Sequence, residues 1–131
     1  MIVVDSSALL AVLLSEPERQ AFENILATSD RNMMSAVNVH ETACVLRARF
    51  GQQAVARLLR LLADVDMEIV PFDKVQLFAA MNAFDRYGKG INSKARLNMS
   101  DCAAYALSKT MNIPLLFKGD DFPQTDVTPF V

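Results

Sequence analysis

The sequence predicts an α/β sandwich of three layers, with a mostly parallel central sheet covered by helices on both faces. Two observations carry that expectation. Short strand-like runs alternate along the chain with longer segments of helical periodicity, and the first run, Ile2–Val4, is apolar throughout, as a strand buried on both faces is. No repeat, low-complexity stretch or composition shift marks a boundary, so residues 1–131 are expected to form one domain.

The elements follow in order. After the strand IVV, helical patterning begins at Ser6-Ser7, and a second helix is expected behind Ser15-Glu16-Pro17, where proline suits a first turn. Residues 33–35 fit a second short strand. Residues 37–49 read as a helix closed by Gly51, and 52–63 as another, with apolar positions at Val55, Leu58, Leu59 and Leu62. Glu68–Val70, ahead of Pro71, is the third strand and 74–84 the next helix. The segment 87–98, polar and glycine-containing, is expected to be the most mobile part. A helix over 100–111 and a strand at 115–117 follow, and 126–128 is the candidate for a last strand. Phe22, Leu26, Leu58, Leu62 and Phe78 recur at helical spacing, as core or dimer-interface residues do.

Composition narrows the function. With 52% hydrophobic and 21% charged residues the chain is globular, and its 13 basic against 15 acidic residues give a net charge of −2. That balance excludes gripping nucleic acid by bulk positive charge, while leaving room for a local basic patch. The apolar start has no basic leader and carries Asp5, and the longest apolar run, 8–14, is too short for a bilayer, so neither a signal peptide nor a membrane span is expected. Cys44 and Cys102 lack C-x-x-C spacing and read as free buried thiols suited to a reducing cytoplasm. A single histidine, His40, rules out a site built from several imidazoles and reads as a structural or surface residue.

The acids are more informative. Ligands of open α/β sheets bind beyond the carboxyl ends of the strands. Asp5 directly follows IVV there, and Asp120-Asp121 follow LLF and Lys118-Gly119. Asp101 opens the 100–111 helix, where an N-cap role for Ser100 with an acid in the first turn is the ordinary explanation. Glu41 shares a helical stripe with Val37, Cys44, Val45 and Ala48. Either it sits at the stripe's edge in solvent, or it is buried and needs a metal or another charged partner. Four carboxylates with so little histidine and cysteine favour a hard cation, Mg²⁺ or Mn²⁺, which would also relieve their mutual repulsion and suit phosphodiester cleavage.

These segments, D-S-S after the first strand, E-T-A on a helix, L-N-M-S-D-C-A-A-Y-A-L and L-L-F-K-G-D-D-F-x-x-T-D-V, resemble in order and over nearly the whole length a PIN-domain protein, more narrowly a VapC-type ribonuclease toxin of a toxin–antitoxin pair. The resemblance implies a PIN-like fold and cleavage of RNA by a metal-activated water. By position, Asp5, Glu41, Asp101 and Asp120 match the catalytic, metal-holding acids. Asp121 is a further metal candidate, with Asp120 preferred as the fourth acid. Ser7 matches the polar residue beside the first aspartate, with Asn98 and Asp126 as supporting residues. The resemblance further implies a homodimer and a cognate antitoxin that enters the acidic groove.

For an acidic protein to bind RNA, positive charge must be local. Residues 86–96 hold Arg86, Lys89, Lys94 and Arg96 and no acid, and Lys118 adds a charge near the fourth acid. Lys94, Arg96 and Lys118 are therefore the candidate phosphate contacts, against the alternative of a solvated loop. The competing functional reading is a non-catalytic PIN-like binding module that uses the acidic pocket for an ion or a protein partner. A phosphoaspartate phosphatase is disfavoured because D-S-S lacks D-x-D spacing.

Overall fold

The computed structural model describes residues 1–131. Four short strands, β1 (Ile2–Val4), β2 (Asn32–Ser35), β3 (Glu68–Val70) and β4 (Leu115–Leu116), form one sheet in the order β3-β2-β1-β4, and every pairing is parallel. Six helices connect and cover them: α1 (Ser6–Leu13), α2 (Arg19–Thr28), α3 (Ala36–Phe50), α4 (Gln52–Asp64), α5 (Lys74–Tyr87) and α6 (Met99–Met111).

Period-two alternation divides the core into two halves. Ile2, Val4, Met34 and Leu116 point to one face and pack with α1 to α4 through Leu9, Leu26, Leu46 and Leu58. Val3, Met33 and Leu115 point to the other, against Ala80, Tyr105 and Leu107 of α5 and α6. Both faces of β1 and β2 are sealed, as the three-layer expectation required. From β1 the chain winds outward through β2 to β3, then returns to place β4 on β1's other side. The switch point therefore lies between the carboxyl ends of β1 and β4, the place where such sheets build sites.

Several local expectations need correction. The second helix starts at Arg19 rather than in the turn at Pro17, because the chain first makes a turn that closes with Arg19 N–H on the Glu16 carbonyl at 2.9 Å. Residues 126–128 form no strand. Leu115 instead pairs with Pro129 in an isolated bridge carried by the flanking Thr128 carbonyl and Phe130 N–H, since proline has no donor to extend a ladder. The 87–98 segment is internally bonded. Lys89 N–H donates to the Leu97 carbonyl and Leu97 N–H to that of Tyr87, both at 2.8 Å, and Ala95 and Leu97 are fully buried anchors. Gly88 is required in that turn, because a Cβ there would meet the Phe84 carbonyl oxygen at 2.6 Å. Phe22, Leu26, Leu58 and Leu62 are core residues, but Phe78 stands on the surface. Cys102 is buried and Cys44 exposed, so only one of the two thiols is where expected. His40 is exposed.

Candidate active site

Asp5 leaves β1 in extended conformation and caps α1. Its N–H completes the sheet pairing with the Leu116 carbonyl at 2.9 Å. Oδ2 accepts the Ser7 N–H at 3.0 Å and the Ser7 hydroxyl at 2.6 Å. That hydroxyl in turn accepts the peptide N–H of Lys118 at 2.9 Å, which ties the end of β1 to the chain leaving β4. Asp5 is only 3% exposed, and its second oxygen, Oδ1, is buried without any partner.

Asp101 and Glu41 come from α6 and α3. Asn98, not Ser100, is the N-cap of α6. Its Oδ1 accepts the Asp101 N–H at 2.8 Å while Asp101 Oδ2 accepts the Asn98 N–H at 3.0 Å, a closed capping box. Ser100 is thereby freed to orient its hydroxyl toward Glu41 or toward Asn98 Oδ1, between which its single proton is shared. Cys44 and Ala48, expected on an apolar stripe with Glu41, lie in solvent, and the buried face of α3 runs instead through Asn38, Thr42 and Leu46. Glu41 stands half-buried at the margin of that face, where the Ser100 hydroxyl meets it.

The carboxylates act on one another. Burial pushes Asp5 up to about 7, opposed by the Ser7 hydroxyl and reinforced by the charges of Asp101 and Glu41. Burial likewise raises Asp101 to about 6, opposed by the Asn98 peptide and reinforced by Glu41 and Asp121. Of the adjacent pair, Asp121 adds its charge to the rise at Asp101; both residues are exposed on the turn after β4. The Cys102 thiol, pushed up to about 11 by burial and then by Asp101, is neutral and takes no part in this charge system.

No three acidic, histidine or cysteine side chains close into a ready ligand cage. Mg²⁺ does not need one, because it keeps several waters and is commonly held through one or two carboxylates. The observation that fits a cation is Asp5 Oδ1, a buried carboxylate oxygen with no hydrogen-bond donor, in a carboxyl whose negative form is opposed by burial and by neighbouring acids. A positive charge at this point would meet both demands.

The remaining candidates are scattered. Lys118 pairs its ammonium with Glu16 (3.3 Å) and Glu18 (3.1 Å), while its peptide N–H donates to Ser7 and so reaches the acidic site through the backbone. Asp126 does not support the acids. It accepts the Tyr105 hydroxyl and pairs with Lys109 at 3.3 Å and Arg86 at 3.7 Å, fastening the C-terminal segment to α5 and α6. Lys94 and Arg96 are exposed and form no ion pair, in the loop that runs directly into the Asn98 cap, and Arg96 holds a left-handed φ of 55°. Sequence reasoning passed over Asn38 and Ser6, both buried between the acid-bearing elements. A lone asparagine three positions before Glu41 was the available signal.

Set beside known proteins, residues 2–127 match the PIN domain family model. A ribonuclease VapC of Mycolicibacterium smegmatis is 42% identical over 125 residues, covering 95% of this chain and 96% of that protein. Ribonuclease VapC30 of Mycobacterium tuberculosis is 40% identical with 95% of each covered. Among solved structures, M. tuberculosis VapC20, described as a sarcin-ricin-loop-cleaving toxin, superposes with a TM-score of 0.79 over 98% of this chain and 97% of that one at 16% identity. VapBC2 of Rickettsia felis, solved on a promoter DNA fragment, gives 0.77 over 98% and 96% at 14% identity. These structural likenesses speak for the fold.

Proposed function

The chain belongs to the PIN-domain family, among the VapC-type ribonuclease toxins, and from that premise we propose that it is a Mg²⁺- or Mn²⁺-dependent endoribonuclease neutralised by a cognate antitoxin. The observation that carries the proposal is the buried Asp5 carboxylate, with one oxygen unpartnered, coupled to Asp101 and Glu41 at the sheet's switch point. A divalent cation held there would supply Lewis-acid stabilisation for charge developing on a phosphodiester and would lower the pKa of water. Asp5, Asp101 and Glu41 would hold it, and Asp121, whose charge adds to the rise at Asp101, is preferred to Asp120 as the fourth acid.

The chain's own residues do the rest. Ser7 fixes the rotamer of Asp5 and leaves Oδ1 for the cation; Ser100 orients Glu41; Asn98 presents Asp101 from a closed cap. Lys94 and Arg96, unpaired beside that cap, receive RNA phosphate. Support for an antitoxin comes from solved relatives that are toxin–antitoxin complexes, including one from Klebsiella pneumoniae. A homodimer is proposed through the exposed apolar groove of Leu77, Met81, Phe84 and Met99. No helix is long and apolar enough to cross a membrane.

The test compares the wild-type chain with the Asp5→Asn, Asp101→Asn double variant on a panel of RNAs, in Mg²⁺, Mn²⁺ or chelator. Cleavage by the wild type alone, abolished by chelator, is expected. Equal, metal-independent behaviour of the two proteins would leave only the binding-module reading.

A further inference from the structure

We propose that Asn38 is a positioning residue for the acidic site, the tie that sets the spacing of the three elements carrying Asp5, Glu41 and Asp101. The inference rests on the reading of those acids as a cation site.

The observations are these. Asn38 is fully buried on α3, three positions before Glu41. Its Nδ2 donates to Ser6 Oγ at 3.2 Å and to the Ser100 carbonyl at 3.0 Å. Ser6 immediately follows Asp5 and Ser100 immediately precedes Asp101, so one amide group grips the neighbours of both aspartates. The tie is reciprocal: Ser6 Oγ donates to the Asn38 carbonyl at 3.1 Å, and Thr42 Oγ1 donates to the same carbonyl at 2.7 Å. All four residues, Ser6, Asn38, Thr42 and Ser100, are at most 5% exposed.

A polar cluster of this kind is an improbable way to fill a core. Buried hydrogen bonds add little net stability over well-packed apolar groups, whereas a half-satisfied one is costly. Asn38 even leaves its own Oδ1 buried and unpaired. What directional bonds provide and apolar packing does not is a fixed register. Carboxylates that must share a small cation need spacing held to a fraction of an ångström, and the groups that orient ligands control affinity as strongly as some ligands do.

The experiment measures Mn²⁺ binding by calorimetry, and kcat and KM for RNA cleavage, in the wild type, Asn38→Ala, Ser6→Ala and the double variant. Leu58→Ala, a core truncation on α4 outside the site, controls for lost stability. Asn38→Ala is expected to weaken Mn²⁺ about tenfold or more and to lower kcat with KM for RNA nearly unchanged. Ser6→Ala, the milder change should Asn38→Ala fail to fold, shifts both the same way. The double variant should lose less than the sum of the two single losses, because the Asn38 amide and the Ser6 hydroxyl share one bond, while the Ser6 bond to the residue-38 carbonyl survives Asn38→Ala. Leu58→Ala should lose stability and keep wild-type Mn²⁺ affinity. Wild-type affinity in Asn38→Ala or Ser6→Ala, or an equal loss in Leu58→Ala, overturns the positioning role and leaves the metal reading intact. A wild type that takes up no Mn²⁺ overturns both.

Discussion

The Ser7 hydroxyl donates to Asp5 Oδ2 at 2.6 Å while accepting the Lys118 N–H at 2.9 Å, so the first carboxylate of the site is oriented by a group that also joins the ends of β1 and β4. Removing it separates the two effects. Ser7→Ala keeps the backbone N–H on Asp5 but leaves the Lys118 peptide without its acceptor. The expected cost is about 1–2 kcal/mol in urea unfolding, with metal affinity weakened about tenfold. Ser7→Thr, which restores the hydroxyl, should recover most of both. Unchanged metal affinity in Ser7→Ala would mean that Asp5 is oriented by its backbone bond alone.

The stability of the metal-free chain should fall as pH rises, opposite to the usual behaviour of a salt-bridged acid. The folded protein retains protons on Asp5 up to about 7 and on Asp101 up to about 6, whereas an unfolded aspartate releases its proton near 3.8. Between those values the folded state binds more protons, so stability declines from about pH 4 to about pH 7 and levels off above. For Asp5 alone the effect is on the order of 4 kcal/mol. Asp5→Asn should therefore stabilise the protein at pH 8, have little effect at pH 4, and flatten the profile. Mg²⁺ should do the same to the wild type by compensating the carboxylate charge. Unfolding curves across this range in chelator and in Mg²⁺ check the sign.

The fourth acid can be assigned by substitution. Asp121→Asn removes a charge that raises Asp101, so it should lower the pKa of Asp101 in the metal-free chain and weaken Mn²⁺ binding in the same protein. Asp120→Asn, on the neighbouring exposed position, should leave both near wild type. Carboxyl titration by NMR and calorimetry read the two quantities, and the reverse ranking would restore Asp120 to the role.

How far the sequence led can be judged from Glu41, Asp126 and Asn38. Strands as short as Ile2–Val4 and Glu68–Val70 were legible because an apolar run stopped by Asp5 and a β-branched pair stopped by Pro71 are local signals. Glu41 was singled out by a stripe of which Cys44 and Ala48 prove to lie in solvent; what engages it is Ser100, 59 residues away in sequence, which no periodicity reveals. Asp126 lies close in sequence to the pair after β4, yet the turn at Phe122–Gln124 carries it away to Tyr105 and Lys109. The role of Asn38 depends on contacts 32 and 62 residues distant. Helical pattern places such a residue on a face; only tertiary packing decides which polar groups it meets.

Arg96 offers a separation of stability from RNA binding. Its φ of 55° is a conformation that glycine adopts without strain, so Arg96→Gly should be neutral or stabilising by up to about 1 kcal/mol. The same change deletes a charge proposed to meet phosphate, so KM for RNA should rise and the salt dependence of binding become shallower. Lys94→Glu should worsen KM further without touching the backbone. Unaltered KM and salt slope in both variants would show the loop to be a solvated connection that substrate does not touch.

The proposed dimer rests on the apolar groove of Leu77, Met81, Phe84 and Met99, at least 38% exposed at each position. Leu77, Met81 and Phe84 recur at helical spacing along α5, and Met99 comes from the first turn of α6, so a second copy packing there would cover the start of the helix that carries Asp101. Leu77→Glu, Met81→Glu together place two negative charges in that contact, and burying either unpaired costs several kcal/mol. Light scattering coupled to gel filtration should then report half the wild-type mass. Both changes are at exposed positions, so the thermal midpoint of the separated monomer should not collapse. A wild type that already elutes as a monomer at tens of micromolar, or a variant that keeps the dimer mass, would remove this face from consideration as the homodimer contact.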